Sequence, residues 1–395
     1  LAATIELDNA SPGRWNEGRV PVRRLQARLR SPDADRQRLL IESFDLQLAQ
    51  GGEAAGRWQG SGQWVGPRLQ LDSQIDALRP QLLDSRAAVM NVSGPLAFTL
   101  AGLRSPDPSA ADLAGPRALS IELRSTLEGR IEGSPSAVKL TLDGRADGQR
   151  IEVRELRAEA GAARAVLAFD ARRAAADGWL LRSSGTLTDF DPLPWWPGGE
   201  GSAWRAGTHR LSGSWSLDVA LPRVRPDMPP LALAQAIAGT GLLRVDRSLV
   251  AGVPVSLQLE LGNRPGSGAA PGSVRGELVA GGNRLAVEGQ GNPAGDGHAD
   301  RLRFDLQAGN LATLAPLARL LPDLASWAPR AGQVDATLNL DGRWPDIRSD
   351  GKASLVGLQV GTLEARRAQA SWRFDTASDQ PLLLLADAQG LEQGK

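Results

Sequence analysis

Apolar and polar residues alternate one for one along most of this chain. The clearest stretch is Gln333 to Gly361, QVDATLNLDGRWPDIRSDGKASLVGLQVG. Val334, Ala336, Leu338 and Leu340 point one way and Asp335, Thr337 and Asn339 the other, the period of a strand with one apolar and one polar face. After a turn-rich break at Asp341-Gly342 and Pro345, a second strand is expected to add Val356, Leu358 and Val360 to the same apolar face. The pair reads as a β-hairpin, and versions of it recur throughout the sequence.

Thr4–Asp8 and Val22–Leu29 read as short strands around a turn at Ser11-Pro12-Gly13. Leu39 to Leu48 alternates if a bulge near Ser43 absorbs one residue. Trp58, Gly60, Gly62 and Trp64 follow, the mid-strand glycines marking a bend or a close backbone approach. Val138, Leu140 and Leu142 alternate up to a hairpin signal at Asp143-Gly144. Leu211, Gly213, Trp215, Leu217 and Val219 form another strand, as do Val255, Leu257, Leu259 and Leu261, and then Leu302, Phe304 and Leu306. Only Leu311 to Trp327 leaves this period. Its leucines at 311, 314, 317, 320, 321 and 324 fit one helical stripe, which Pro316 and Pro322 would kink.

Three breaks share a plan: IDALRP (75–80), TDFDP (188–192) and NLATLAP (310–316). Each follows a strand and precedes a strand containing glycine. Their last prolines, Pro80, Pro192 and Pro316, lie 112 and 124 residues apart. The spacing reads as a degenerate super-repeat, about 1–102, 103–222 and 223–342, with 343–395 starting a further copy. Residues 1–395 are then one continuous segment; the alternative is three unrelated β domains with similar linkers. At one strand per roughly 10–15 residues, about 25–35 strands are expected. A strand apolar on one face must hide that face, and alternation alone leaves a sandwich, a closed barrel and a curled open sheet as solutions.

Composition removes several kinds of chemistry. Lys and Arg number 45, as do Asp and Glu, so the basic footprint of a nucleic-acid binder is missing. There is no cysteine, hence no disulfide, thiolate metal site or cysteine nucleophile. His209 and His298 are the two histidines, and both are expected as solvated polar side chains. GQGNPA (289–294) fits a relaxed dinucleotide fingerprint, but Pro293 and more glycine stand where a helix should begin. Asp189 and Asp191 flank Phe190 in a loop, and Asp107 and Asp112 lie in Pro/Ser/Ala-rich loops without partners. No catalytic motif or cofactor is implied, so the chain reads as a non-enzyme. No apolar run approaches the roughly 18 residues of a membrane-spanning helix. The chain starts at Leu1 with neither Met nor a signal pattern, which reads as a segment whose anchor would lie elsewhere.

The segment LDGRWPDIRSDGKASLVGLQVG (340–361) resembles the repeating strand unit of the TamB and AsmA-like family of envelope-bridging proteins. The likeness is in motif over about 330–375 and in style over most of the chain. It implies an all-β fold, an elongated and curled antiparallel sheet forming a long hydrophobic groove, with one or more short helices. It also implies a periplasmic bridge in a Gram-negative bacterium that carries phospholipids between inner and outer membranes and supports outer-membrane protein assembly. Its partners would be phospholipid acyl chains and, through parts outside this segment, the inner membrane and an outer-membrane barrel of the TamA type. The expected lining is Val255, Leu257, Leu259, Leu261, Leu302, Phe304, Leu306, Val334, Ala336, Leu338, Leu340, Val356, Leu358 and Val360. Trp195 and Trp196, the indoles of DPLPWWPGG, pin a loop to the sheet or form a lid, and Leu317, Leu320 and Leu321 are the other lid candidates. Two rival readings are a β-scaffold or chaperone that pairs its edges with client strands, and a structural stalk with a dry interior.

Overall fold

A computed structural model describes residues 2–32, 38–103, 119–132, 136–174, 178–195, 201–221, 223, 237–262, 272–291, 300–343, 345–378 and 381–393. Trp196, Asp107, Asp112 and His298 lie outside them. Among the described residues there are 21 strands and a few short helices. The strands run from 7 residues at Ala2–Asp8 to 15 at Pro329–Arg343. Several are longer than the spacing allowed for.

The chain divides into two compact units, Leu1–Arg172 with Asp191–Glu200, and Arg173–Phe190 with Gly201–Lys395. The first holds β1 (Ala2–Asp8), β2 (Val22–Arg30), β3 (Arg38–Gln50), β4 (Glu53–Val65), β5 (Arg68–Leu78), β6 (Met90–Ala101), β7 (Ser120–Ile131), β8 (Ala137–Asp147), β9 (Arg150–Ala160) and β10 (Ala163–Arg173). Each pairs antiparallel with the next in chain order. The second holds β11 (Trp179–Phe190), β12 (Leu211–Leu221), β13 (Ala238–Val250), β14 (Val253–Gly262), β15 (Gly272–Ala280), β16 (Asn283–Gly291), β17 (Arg301–Ala308), β18 (Pro329–Arg343), β19 (Asp346–Val360), β20 (Leu363–Asp375) and β21 (Leu382–Gln393). These too form an unbroken antiparallel meander.

The alternation is legible in burial. Along β11, Trp179, Leu181, Ser183, Gly185 and Leu187 are half-buried, while Leu180, Arg182, Ser184, Thr186 and Thr188 are exposed. Register slips where extra residues enter, as between Ile41 and Phe44, the expected bulge near Ser43. Asp143-Gly144 is not a turn. Strand β8 runs through it, and Gly144 sits between Leu123 and Val153 in the ladder.

The deepest burial lies at one end of the strands, where odd-numbered ones finish and even-numbered ones begin. In the first unit Ala49, Ala55, Met90, Val92, Ile131 and Val138 are buried there. Helix α1 (Pro80–Leu83) lies against β3, β4 and β6 and contributes the buried Leu82. In the second unit the same kind of end holds Val253, Ala280 and Ala308, with a turn at Leu311–Leu314, α2 (Ala315–Arg319) and α3 (Pro322–Ala325) crossing it. Counted in strands, α1 stands between the fifth and sixth, the 192–206 connection between the eleventh and twelfth, and the α2–α3 connection between the seventeenth and eighteenth. Each recurs six strands after the last.

Candidate functional site: an apolar wall

Antiparallel pairing sets residues of successive strands side by side, so the register defines rows across the sheet. In the second unit one such row reads Leu187, Gly213, Val245, Leu257, Leu278, Leu285, Leu306, Ala336, Ala353, Ala370 and Ala386. The next reads Gly185, Trp215, Leu243, Leu259, Gly276, Val287, Phe304, Leu338, Gly351, Trp372 and Leu384. A third runs from Ser183 through Leu217, Leu261, Leu302 and Leu340 to Phe374 and Leu382. These rows contain no charged residue. At about 4.8 Å per strand, eleven strands make a wall roughly 50 Å wide.

The first unit repeats the arrangement. Leu29, Ile41, Gly62, Leu71, Phe98, Leu123, Gly144, Val153 and Phe169 form one row. Leu39, Trp64, Leu69, Leu100, Ile121, Ala146, Ile151 and Ala171 form another. Glycines alternate with large side chains along these rows, and the large residue lies across the vacancy. A Cβ on Gly351 would collide with the Trp372 indole, and one on Gly276 would come within 2.9 Å of Val287 and 3.1 Å of Leu259.

The wall is only partly covered. Among the described residues the largest side chains buried to under 2% exposure are Val92, Val138, Pro21 and Ser248; no leucine or aromatic is among them. A second sheet packed on this face would bury them fully. Instead Leu257, Leu259, Leu302, Phe304, Leu306 and Leu338 stay half-buried. Leu340 is the exception at 8% exposed.

Most of the expected lining takes its place in these rows. Val334 stands between Ala308 and Leu355, and Val255 is half-buried opposite Ala280. Val356 does not. It pairs with Gln333 and Arg367 and is 42% exposed, on the polar face. The cause is Gly357, whose φ of +58° takes one residue out of the extended alternation. Before it the wall is carried by Ala353 and Leu355; after it Leu358 is half-buried opposite the buried Ala365, and Val360 faces Leu363.

The lid candidates divide. Trp195 packs against the buried cluster of Ala88, Met90, Val92, Ile131 and Val138, closing the capped end of the first unit. Leu317 and Leu320 are half-buried, whereas Leu321 is 54% exposed, because Pro322 restarts the helix and turns the stripe outward. His209 is not solvated. It is 4% exposed, stacks on Trp204 with centroids 3.9 Å apart, places Nε2 2.9 Å from the Trp204 carbonyl and accepts from Ala251 N–H through Nδ1. Asp189 is exposed; its backbone N–H donates to Ser212 Oγ.

The opposite face is charged, and the charges alternate. One row reads Glu260, Arg275, Glu288, Arg303, Asn339, Asp350 and Arg373; another reads Glu128, Lys139, Glu159 and Arg164. A hollow of about 660 Å³ on this face mixes Glu260, Glu288 and Asp341 with Arg275, Arg301 and Arg303, so it presents no single sign to a ligand. The Asp170 carboxyl is held far below its usual range by hydrogen bonds from Arg150 and Arg172. Sequence reasoning missed one buried ion pair, Asp300 with Arg343 at 2.6 Å, which lies at the end of β16–β18 opposite the caps. Its only sequence signal is a pair of opposite charges flanking turns 43 residues apart. Among the described residues, no three or more His, Asp or Glu side chains are placed to hold a metal ion, and no helix is long and apolar enough to cross a membrane. No family model, curated protein or solved structure matches the chain.

Proposed function

We propose that this chain is a non-enzymatic conduit segment that carries lipid acyl chains along its apolar wall, as part of a TamB-like bridge in the periplasm of a Gram-negative envelope. The observation that carries the reading is the set of uncharged rows running across eleven consecutive strands while most of their leucines are left short of full burial. An acyl chain of about 15 methylenes exposed to water costs roughly 12 kcal/mol at about 0.8 kcal/mol each. A continuous aliphatic wall removes most of that barrier at every point, so the chain can slide without passing through water. The headgroup stays in solvent at the open side, which needs no charged pocket. The resemblance of 340–361 to the TamB strand unit supports the same placement and, with it, a role in outer-membrane protein assembly. Mass spectrometry of organic extracts from the purified chain tests the reading. Phospholipid at a reproducible ratio to protein supports it, and a lipid-free protein that also takes up none from vesicles overturns it.

A second reading draws on β21, where the exposed Leu383 and Leu385 lie in two otherwise polar rows, beside Arg373 and Ser371. Such a strand suits pairing with a client strand. Client crosslinks confined to β21 and absent from the wall would favour it.

A further inference from the structure

The connection between β17 and β18 differs from two-residue turns such as those at 281–282 and 361–362. It runs from Gly309 to Ala328 and is tied down at its start. Asn283, 4% exposed, donates through Nδ2 to the Asn310 carbonyl at 3.0 Å and to Thr313 Oγ1 at 2.9 Å. Its Oδ1 accepts from the Asn310 backbone N–H at 3.1 Å, and Thr313 Oγ1 donates to the Gly281 carbonyl at 2.8 Å. Beyond this knot the tethering stops. Among the described residues, the hydrogen bonds made by Ala315 to Trp327 are internal to the connection. Its far end rests on the β19–β20 turn, where a Cβ at Gly361 would lie 3.2 Å from the Ser326 carbonyl.

The side chains form two stripes at a spacing of three. Leu311, Leu314, Leu317 and Leu320 are half-buried, with the Leu311–Leu314 turn and α2 lying against β18. Leu321, Leu324 and Trp327 are 54%, 48% and 62% exposed. A fixed capping helix buries its large apolar residues; this connection holds Leu321, Leu324 and Trp327 outward, and among the described residues its hydrogen bonds beyond the Asn283 knot do not tie it to the sheet.

We propose that this connection is a tethered plug on the apolar wall of the second unit. Leu311 to Leu320 occupy the capped end of the wall, beside Ala308 and Val334, and yield it to an apolar chain by pivoting on the Asn283 knot. The exposed stripe then provides the outer side of the occupied site. This rests on the conduit reading, and it adds a gate at a named place.

The chain has no cysteine, so Ser326→Cys with Gly361→Cys gives a single reversible lock across the plug's far end. The probe is a diazirine-bearing fatty acid, with labelled residues mapped by mass spectrometry in the oxidised and reduced forms of one preparation. The expected result is labelling at Ala308 and Val334 that falls about tenfold on oxidation, as for a site that needs a minor open state, while labelling at Leu302 and Leu338 stays constant. Labelling at all four positions unchanged by oxidation overturns the plug, as does labelling at Leu302 and Leu338 alone in both forms. No labelling anywhere overturns the conduit itself. Should the double cysteine variant misfold, Leu317→Ser with Leu320→Ser loosens the inner stripe instead; labelling at Val334 should rise, and no rise overturns the proposal.

Discussion

Replacing Leu338 by aspartate separates an open wall from a sealed core. Leu338 is half-buried, flanked across the strands by Phe304 and Gly351. Burying the larger part of a leucine is worth roughly 1–2 kcal/mol, most of the 1.5–3 kcal/mol for complete burial. On an open wall the new carboxylate keeps water on one side, so the total loss should be about 2–3 kcal/mol, within what a folded domain tolerates. Leu340, two residues on and 8% exposed, has no such outlet. Leu340→Asp should cost more than about 4 kcal/mol, the range of a buried unpaired charge. Thr337→Asp falls in a polar row between Asp305 and Lys352 and should change stability by under about 0.5 kcal/mol. Urea unfolding followed by far-ultraviolet circular dichroism gives all three numbers. If Leu338→Asp proves as damaging as Leu340→Asp, Leu338 lies in a dry core and the wall is not open.

Other outcomes follow from named contacts. Asp300→Ala removes the carboxylate that the Arg343 guanidinium, 19% exposed, pairs with, and should cost about 1–3 kcal/mol in urea unfolding; a loss under about 0.5 kcal/mol would show that the pair is not shielded. Gly351→Val should push the Trp372 indole off the wall, seen as a red shift in tryptophan fluorescence, and an unchanged spectrum would contradict that packing. Because Asp170 is held as the carboxylate by Arg150 and Arg172, its folded pKa lies below its unfolded one. Its contribution is therefore complete above the unfolded value of about 4 and is lost as pH falls toward the folded one. Asp170→Asn should flatten that part of the stability profile, and an identical acid limb in both proteins would refute the linkage.

The period-two pattern carried most of the architecture because both pleating and pairing preserve it. Once Leu302, Phe304 and Leu306 face one way, antiparallel pairing fixes Leu340, Leu338 and Ala336 beside them. Errors arose where one residue changed the count. Gly357 moved Val356 to the polar face, and Pro322 split what read as one helical stripe into an inner and an outer one. Gly144 read as a turn because its flexibility is also what lets a neighbouring backbone come close in mid-strand, with the Glu152 carbonyl 3.0 Å from a Cβ built there. The buried polar groups were illegible for another reason. Asn283 meets Asn310 and Thr313, and His209 meets Ala251, across separations that no local pattern encodes.

The central claim, that lipid travels on one face only, is tested most directly by a photo-crosslinking amino acid placed at 338 or at 337 in cells, followed by lipid analysis of the adducts. The two positions are adjacent in β18 and lie in an uncharged and a polar row respectively. The account predicts phospholipid adducts at 338 and none at 337. Equal capture at both, or capture at 337 alone, would contradict it.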